Sequence, residues 1–374
     1  MKLTILKDVM KKGIEVVEKI TQKNLTLPIL QTTIFQTEKN FLTLSSTNLE
    51  TGVIWWGLAR IEKEGKICLP TKVLSQLISF VPQKSISLFK ENLSLWVECE
   101  NYKTEIIGLD AEEFPIIPKI QTENSILVDT SLFCQSLSQV VKIPSPSTAR
   151  PEISGVLLNF QENIIKIAAT DSFRLAEKKL FLPNPFPQKH SLILPQNSVR
   201  EIIGIFGELE GEMRIYISPK QIWFESLMSE ISHPQIQYTS RLIEGEYPNY
   251  EEITPKKFGT TVSLSKEKLL NQIKTASLFS GKNNEIIMKI DPKNETITIL
   301  SQSPNLGKYE GSLAGKIKGE KVEIAFNHRF LIDGILEIKS PELTLNLTNE
   351  EGPAVLRPVD LEDYFYILMP IKTI

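Results

Sequence analysis

Carboxylates, histidines and cysteines are where covalent chemistry would start in this chain, and their spacing supports little of it. Asp171, in Thr170-Asp171-Ser172, is the best placed acid–base candidate, with Glu251-Glu252 and Glu350-Glu351 as paired carboxylates elsewhere. The alternative role for Asp171 is that of a turn residue closing a strand, its side chain accepting from nearby backbone N–H groups. His190, His233 and His328 lie in three separate segments without metal-ligand spacing. Cys68, Cys99 and Cys134 form no CxxC pair, and their odd number suits small core thiols in a reducing compartment rather than a disulfide framework. There is no GxxxxGK[ST] loop, GxGxxG, GxSxG or HExxH. No metal or cofactor is expected, and catalysis is the weaker reading.

The elements around these residues repeat. The strand-like run Asn40–Thr47 returns as Asn163–Thr170 after 123 residues and as Glu295–Gln302 after a further 132. A strand and amphipathic helix recur over Leu3–Val17, Ile126–Val141 and Val262–Phe279. A second such pair recurs over Lys66–Val81, Leu192–Phe206 and Val322–Leu336. A period of this length is that of a domain rather than of a solenoid repeat. Proline-rich joints at Pro115–Pro118 and Gly245–Tyr250 place boundaries near 124 and 258, giving domains 1–124, 125–257 and 258–374. Alternating segments such as Ser85–Phe89 and Leu93–Cys99, turned by Lys90-Glu91-Asn92, read as hairpins. The expected class is α+β, two helices per copy packed on antiparallel sheets.

Charge follows the same division. Helices expected at 7–23, 71–81, 131–142, 196–206, 265–282 and 327–339 carry formal charges summing to +7, leaving −10 for the rest of a chain whose net charge is −3. If the helices share a face, that face attracts a polyanion while the exterior repels it. Lysine is also simply a good helix former, so the excess has an ordinary explanation as well. The candidates for phosphate contact are Lys11, Lys12, Lys19, Lys23, Lys72, Lys142, Arg150, Arg200 and Lys274. No run is long and apolar enough for a signal peptide or a membrane span, so a cytoplasmic location is expected.

One segment departs from plain repetition: Ala168-Ala-Thr-Asp-Ser-Phe-Arg-Leu-Ala176. With Leu27-Pro-Ile-Leu30, Phe114-Pro115, Gly245-Glu-Tyr-Pro-Asn-Tyr250 and the tail Leu368-Met-Pro-Ile-Lys372, it resembles, from end to end, the bacterial sliding clamp, the beta subunit of DNA polymerase III. The resemblance implies a non-enzymatic processivity factor: a head-to-tail homodimer of three-domain chains, six domains in a ring around duplex DNA, without base reading. Twelve helices side by side would span a circle of roughly 120 Å, enough for a duplex.

It also implies a pocket for short Leu/Phe-rich peptides of the polymerase, the clamp loader and other partners. That pocket would be built from Ile153, Thr170, Ser172, Phe173, Arg174, Leu175, Pro248, Ile253, Pro353, Ile367, Met369, Pro370 and Ile371, with Arg174 touching the peptide. It implies a dimer joint at Thr104, Ile106, Leu278 and Phe279. Phe173 stands where members commonly carry His or Tyr, Glu252 where some are basic, and Lys372 where Arg is common. Without the resemblance, the apolar tail reads equally well as a core strand. The rival function is a hydrolase or sugar-active enzyme on a triplicated scaffold, with Asp171 and a glutamate as acid and base. A sequence-specific DNA regulator lacks any helix-turn-helix or zinc pattern.

Overall fold

Among the described residues, six α-helices form where apolar residues recur at three- and four-residue steps. They are α1 (Lys7–Glu18), α2 (Thr71–Phe80), α3 (Thr130–Ser138), α4 (Gln196–Phe206), α5 (Lys266–Ser277) and α6 (His328–Glu337). The computed structural model describes residues 1–21, 27–82, 84–99, 102–120, 124–147, 149–186 and 188–372. In α1, Met10, Ile14 and Val17 are buried while Lys11, Lys12 and Glu15 stay exposed. Gly13 lets that helix lie against the strand Thr51–Leu58, because a Cβ there would stand 2.5 Å from the Trp55 ring. Three α-helix starts are capped by polar side chains among the described residues: Asp129 accepts from the Leu132 N–H, Ser265 from the Lys268 N–H and Asn327 from the Arg329 N–H.

Several helices end earlier than their periodicity suggests. In α1 the Lys19 and Ile20 N–H groups bond three residues back, to Val16 and Val17, and the Thr21 hydroxyl also donates to the Val17 carbonyl at 2.8 Å. The last turn tightens and the helix stops at Glu18. In α5 the Leu278 and Phe279 N–H groups do the same, bonding to Thr275 and Ala276, so the helix stops at Ser277 and the expected extension to 282 is a turn.

The chain divides into two compact units, residues 1–135 with 197–242 and residues 136–196 with 243–374, so the middle third of the sequence contributes to both. The first unit holds a five-stranded and an eight-stranded sheet, the second a nine-stranded and a four-stranded sheet. Every strand pairing among the described residues is antiparallel, and the repetition is explicit in the register. The strand before each odd-numbered helix pairs with the one after the following helix: Leu3 with Leu88, Val128 with Met213, Val262 with Leu345. The three recurrent runs form strands Phe41–Thr47, Ile164–Thr170 and Thr296–Ser303, each central in a sheet.

Two further pairings join the copies. Thr51–Leu58 of the first copy lies beside Pro234–Arg241 of the second, with Val53 opposite Tyr238. Arg174–Phe181 of the second lies beside Tyr364–Leu368 of the third, with Leu175 opposite Ile367. The strands Tyr102–Ile107 and Gly307–Ala314, by contrast, end their sheets among the described residues. Cys68 and Cys134 are buried and Cys99 half-buried, all as free thiols. Burial pushes the Cys68 thiol up to about 11 and the Cys134 thiol up to about 12.

Candidate functional site

All thirteen residues expected to form a pocket lie in the second unit, around the place where Ile164–Thr170 turns into Arg174–Phe181. Ser172 is held in the left-handed region, φ 76°, which costs a non-glycine residue about 1–2 kcal/mol. The two side chains just before it offset that cost. The Thr170 hydroxyl accepts from the Ser172 N–H at 3.2 Å and donates to the Arg174 carbonyl at 2.8 Å. Asp171 Oδ1 accepts from the Phe173 and Arg174 N–H groups, each at 3.0 Å. Asp171 is therefore the turn residue that its position suggests, and its carboxylate is committed to backbone and to Arg174. The turn pushes the Phe173 side chain into solvent, 63% exposed.

The carboxy-terminal tail is stitched beside this turn. After the strand Tyr364–Leu368, the Met369 N–H donates to the Phe173 carbonyl at 2.8 Å, and the Ile371 N–H to the Ala325 carbonyl at 2.8 Å. Met369 is 43% exposed, while Pro370 and Ile371 are half-buried. Pro353 immediately precedes Ala354, the register partner of Leu368, so it stands next to Met369. Under the turn lies an apolar cluster of Leu157, Ala168, Leu175, Val355 and Ile367, closed over by Tyr250 with Tyr247, Phe258 and Phe365 against it. Pro248 sits between the two tyrosines, its carbonyl accepting from the Tyr250 N–H. The Tyr250 hydroxyl donates to Glu177 Oε2 at 2.6 Å, and burial together with that carboxylate raises its pKa. Exposed Phe173 and Met369 thus stand at the ends of the paired strands that carry buried Leu175 and Ile367, while Ile253 is exposed on the segment that follows Tyr250; apolar side chains of this kind are what a groove for apolar ligands uses.

Arg174 is largely enclosed by its own surroundings. Its side chain is 10% exposed and donates to Asp171 Oδ2 at 2.9 Å, Asp333 Oδ2 at 2.5 Å and the Lys142 carbonyl at 3.3 Å. Its guanidinium also covers the Phe330 ring at 4.4 Å. Burial opposes its charge, yet Tyr366, Asp333 and Asp171 outweigh that and raise its pKa. Through these bonds it clasps the turn to α6. Asp333 and Phe330 complete this clasp from 159 residues away in the case of Asp333, a distance no local motif could reveal.

Arg150, expected among the phosphate contacts, sits at the rim of the groove. It donates to Ser172 Oγ at 3.2 Å and to Glu152 Oε1 at 3.3 Å. Lys142 is half-neutralised by Glu337, Nζ to Oε1 2.8 Å. Lys11 lies 3.8 Å from Glu15, whereas Lys12, Lys19, Lys72, Arg200 and Lys274 are exposed with no carboxylate partner among the described residues. Lys23 lies outside the described residues. At the expected dimer joint, Leu278 is exposed and Phe279 is half-buried, stacked on Tyr309. Ile106 is only 5% exposed and faces its own core, because alternation along the strand turns Ile107, 76% exposed, outward instead.

Three family models cover nearly the whole chain: the DNA polymerase III beta subunit N-terminal domain over residues 1–118, its central domain over 128–249 and its C-terminal domain over 251–372. The chain belongs to the DNA polymerase III beta subunit family. Similar relatives are beta sliding clamps of Bacillus subtilis, 26% identical with both chains fully covered, and of Synechococcus elongatus, 27% identical over 88% of each. The crystal structure of the Bacillus subtilis clamp superposes with a TM-score of 0.94 at 25% identity, covering 100% of both chains. The Thermotoga maritima beta subunit superposes at 0.91 with 24% identity over 100% of both chains. The chain therefore has three clamp domains of mixed α/β fold and is a sliding clamp, a non-catalytic subunit, rather than a hydrolase. No helix among the described residues is long and apolar enough to cross a membrane.

Proposed function

We propose that two copies of this chain close head to tail into a ring around duplex DNA and tether the replicative polymerase and other maintenance proteins to it in the cytoplasm. The observation that carries this is the sheet topology. Each joint between copies of the repeat pairs the last strand of one hairpin with the last strand of the next copy, and the same two kinds of strand, Gly307–Ala314 and Tyr102–Ile107, are left as edges. An exposed edge is a template for a further strand, and a second copy supplies the match for both. The domains divide near 124 and 258.

Phosphate contact falls to Lys11, Lys12, Lys19, Lys72, Arg200 and Lys274, with Lys142 partly neutralised. Such contacts are independent of sequence and let a closed ring slide. Peptides rich in Leu and Phe dock over Leu175 and Ile367, between Phe173, Pro248, Ile253 and Met369. Thr170, Ser172, Arg174, Ile153, Pro353, Pro370 and Ile371 shape the walls, and Arg150 is a polar rim.

Retention on DNA tests the ring. Protein loaded on nicked circular DNA stays bound through a rise in salt, because topology holds it, and is released once the circle is cut. Equal release from circular and linear DNA would refute the proposal.

A further inference from the structure

The two joints inside the chain dictate the register of the joint between chains. The copies align through their hairpins: Phe41, Ile164 and Thr296 open equivalent strands and pair with Leu58, Phe181 and Ala314. Counting back seven residues makes Thr51, Arg174 and Gly307 equivalent. On the other side, Leu6, Asp129 and Ser265 each precede a helix and pair with Ser85, Glu212 and Glu342. Five residues on, Lys90, Ile217 and Leu347 pair with Leu95, Ile222 and Ala354, which in turn pair with Ile106, Ser240 and Leu368. Ile106, Ser240 and Leu368 are therefore equivalent. Thr51 faces Ser240 and Arg174 faces Leu368, so both joints obey one register under this alignment.

We infer that Gly307 faces Ile106 of a second copy, which sets Lys308 opposite Glu105 and Glu310 opposite Lys103, a two-rung charge ladder that selects self-assembly in one register; this rests on the ring reading above. The side-chain directions agree with it. Lys308 and Glu310 are exposed, whereas Tyr309 between them turns inward, bonding Gln272 and stacking on Phe279 at 6.2 Å. Likewise Lys103 and Glu105 are exposed and Ile106 is buried. Opposed residues of antiparallel strands share a face, so both rungs lie on the same outer face. Glu105, Lys308 and Glu310 have no ion-pair partner among the described residues, and Lys103 has only Glu98 at 2.8 Å. The same register brings exposed Ile107 opposite exposed Leu306.

The charges also exclude neighbouring registers. A slip of two residues one way sets Lys308 against Lys103, and the other way sets Glu310 against Glu105. A slip of one residue would turn every side chain to the wrong face. The equivalents of the first rung inside the chain are Leu175 with Ile367 and Gly52 with Thr239, and those of the second are Glu177 with Phe365 and Ile54 with Gln237, none of them a pair of opposite charges. Opposite charge across a rung is thus confined to the edges that meet in solution, where unpaired it also blunts promiscuous strand addition.

The test uses the full chain. One variant carries Lys308→Glu with Glu310→Lys, and another carries Lys103→Glu with Glu105→Lys. Each alone should dimerise about tenfold or more weakly by sedimentation, since two attractive pairs become repulsive at both joints. Mixed in equal amounts they should form a dimer of parent-like affinity, because one joint then pairs reversed with reversed and the other native with native. As a second readout, Lys308→Cys with Glu105→Cys in one chain should cross-link the dimer on mild oxidation, and Lys308→Cys with Lys103→Cys should not. A monomeric parent overturns the ring itself. A dimeric parent with no rescue in the mixture, or with the wrong cysteine pair cross-linking, overturns the register alone.

Discussion

Replacing Arg174 separates a residue that touches a ligand from one that builds the surface the ligand meets. The guanidinium holds Asp171, Asp333 and the Lys142 carbonyl and covers Phe330. Hydrogen bonds to charged groups contribute about 1.5–3 kcal/mol each, and removing one partner of a buried ion pair costs about 3–5 kcal/mol. The Asp171 side chain is 9% exposed, so its bond counts nearly in full, whereas the Asp333 side chain at 37% is partly screened and is discounted. Arg174→Ala should therefore destabilise the second unit by about 3–4 kcal/mol, read as a lower urea midpoint. Because Asp171 loses its anchor and Ser172 its support, binding of a Leu/Phe-rich peptide, followed by fluorescence anisotropy, should fall as well. In a double-mutant cycle, Arg174→Met and Asp333→Asn should interact by about 1 kcal/mol or more in stability. Loss of peptide affinity with an unchanged midpoint, or a cycle that closes to zero, would refute the clasp and make Arg174 a contact residue.

Three other outcomes follow from the same structure. Truncation before Met369 removes the bond to the Phe173 carbonyl and apolar surface flanking the groove; losing two buried contacts of roughly 1.5–3 kcal/mol each should weaken peptide binding about a hundredfold or more, while gel filtration still shows a dimer. Unfolding of the truncated chain would instead mark the tail as core. Gly13→Val sets a side chain against the Trp55 ring, where even a Cβ stands 2.5 Å away, so thermal melting should drop by an amount equivalent to about 1–3 kcal/mol. Burial, then Arg329, lowers the His328 pKa, so the folded chain binds this proton less readily than the unfolded chain. Its stabilising contribution is complete above the ordinary histidine value of about 6.5 and is lost as pH falls through the lowered folded value, a slope that His328→Gln should flatten in urea titrations.

The threefold plan was legible because each copy has to bury the same faces. Val9 to Val17, Leu269 to Ala276 and the alternating runs around Leu42, Ile165 and Ile297 carry periods that only a helix on a sheet satisfies. Helix ends were less legible. Tightened last turns at Lys19 and Leu278 depend on local hydrogen bonds that a hydrophobic stripe does not encode. At the candidate groove, the local part could be read: Thr170 to Leu175 is a self-contained turn, and Gly245 to Tyr250 supplies its cover. The roles of Arg174 and Arg150 could not, since they depend on Asp333 and Ser172, which the fold alone brings near. The inward turn of the Ile106 side chain was not legible for a simpler reason. An edge strand exposes its backbone and only every second side chain, and the parity here is set by Leu95, its buried partner.

That parity links the sequence to assembly. At the joint between the second and third copies, the rung Leu175–Ile367 can be apolar, because Tyr250 packs with it and Phe258 lies against the cluster. No comparable pair exists at the free edges, where the equivalent positions are Lys308 and Glu105. One repeated hairpin thus serves two ends. On the readings proposed above, the hairpin closed between the second and third copies receives apolar side chains, and the hairpin left open carries charge that keeps it soluble until its counterpart arrives. Exchanging the two solutions, by placing leucine and isoleucine at positions 308 and 105, would keep an apolar pair in the closed ring but leave each separate chain with bare apolar edges, so it should aggregate before it closes.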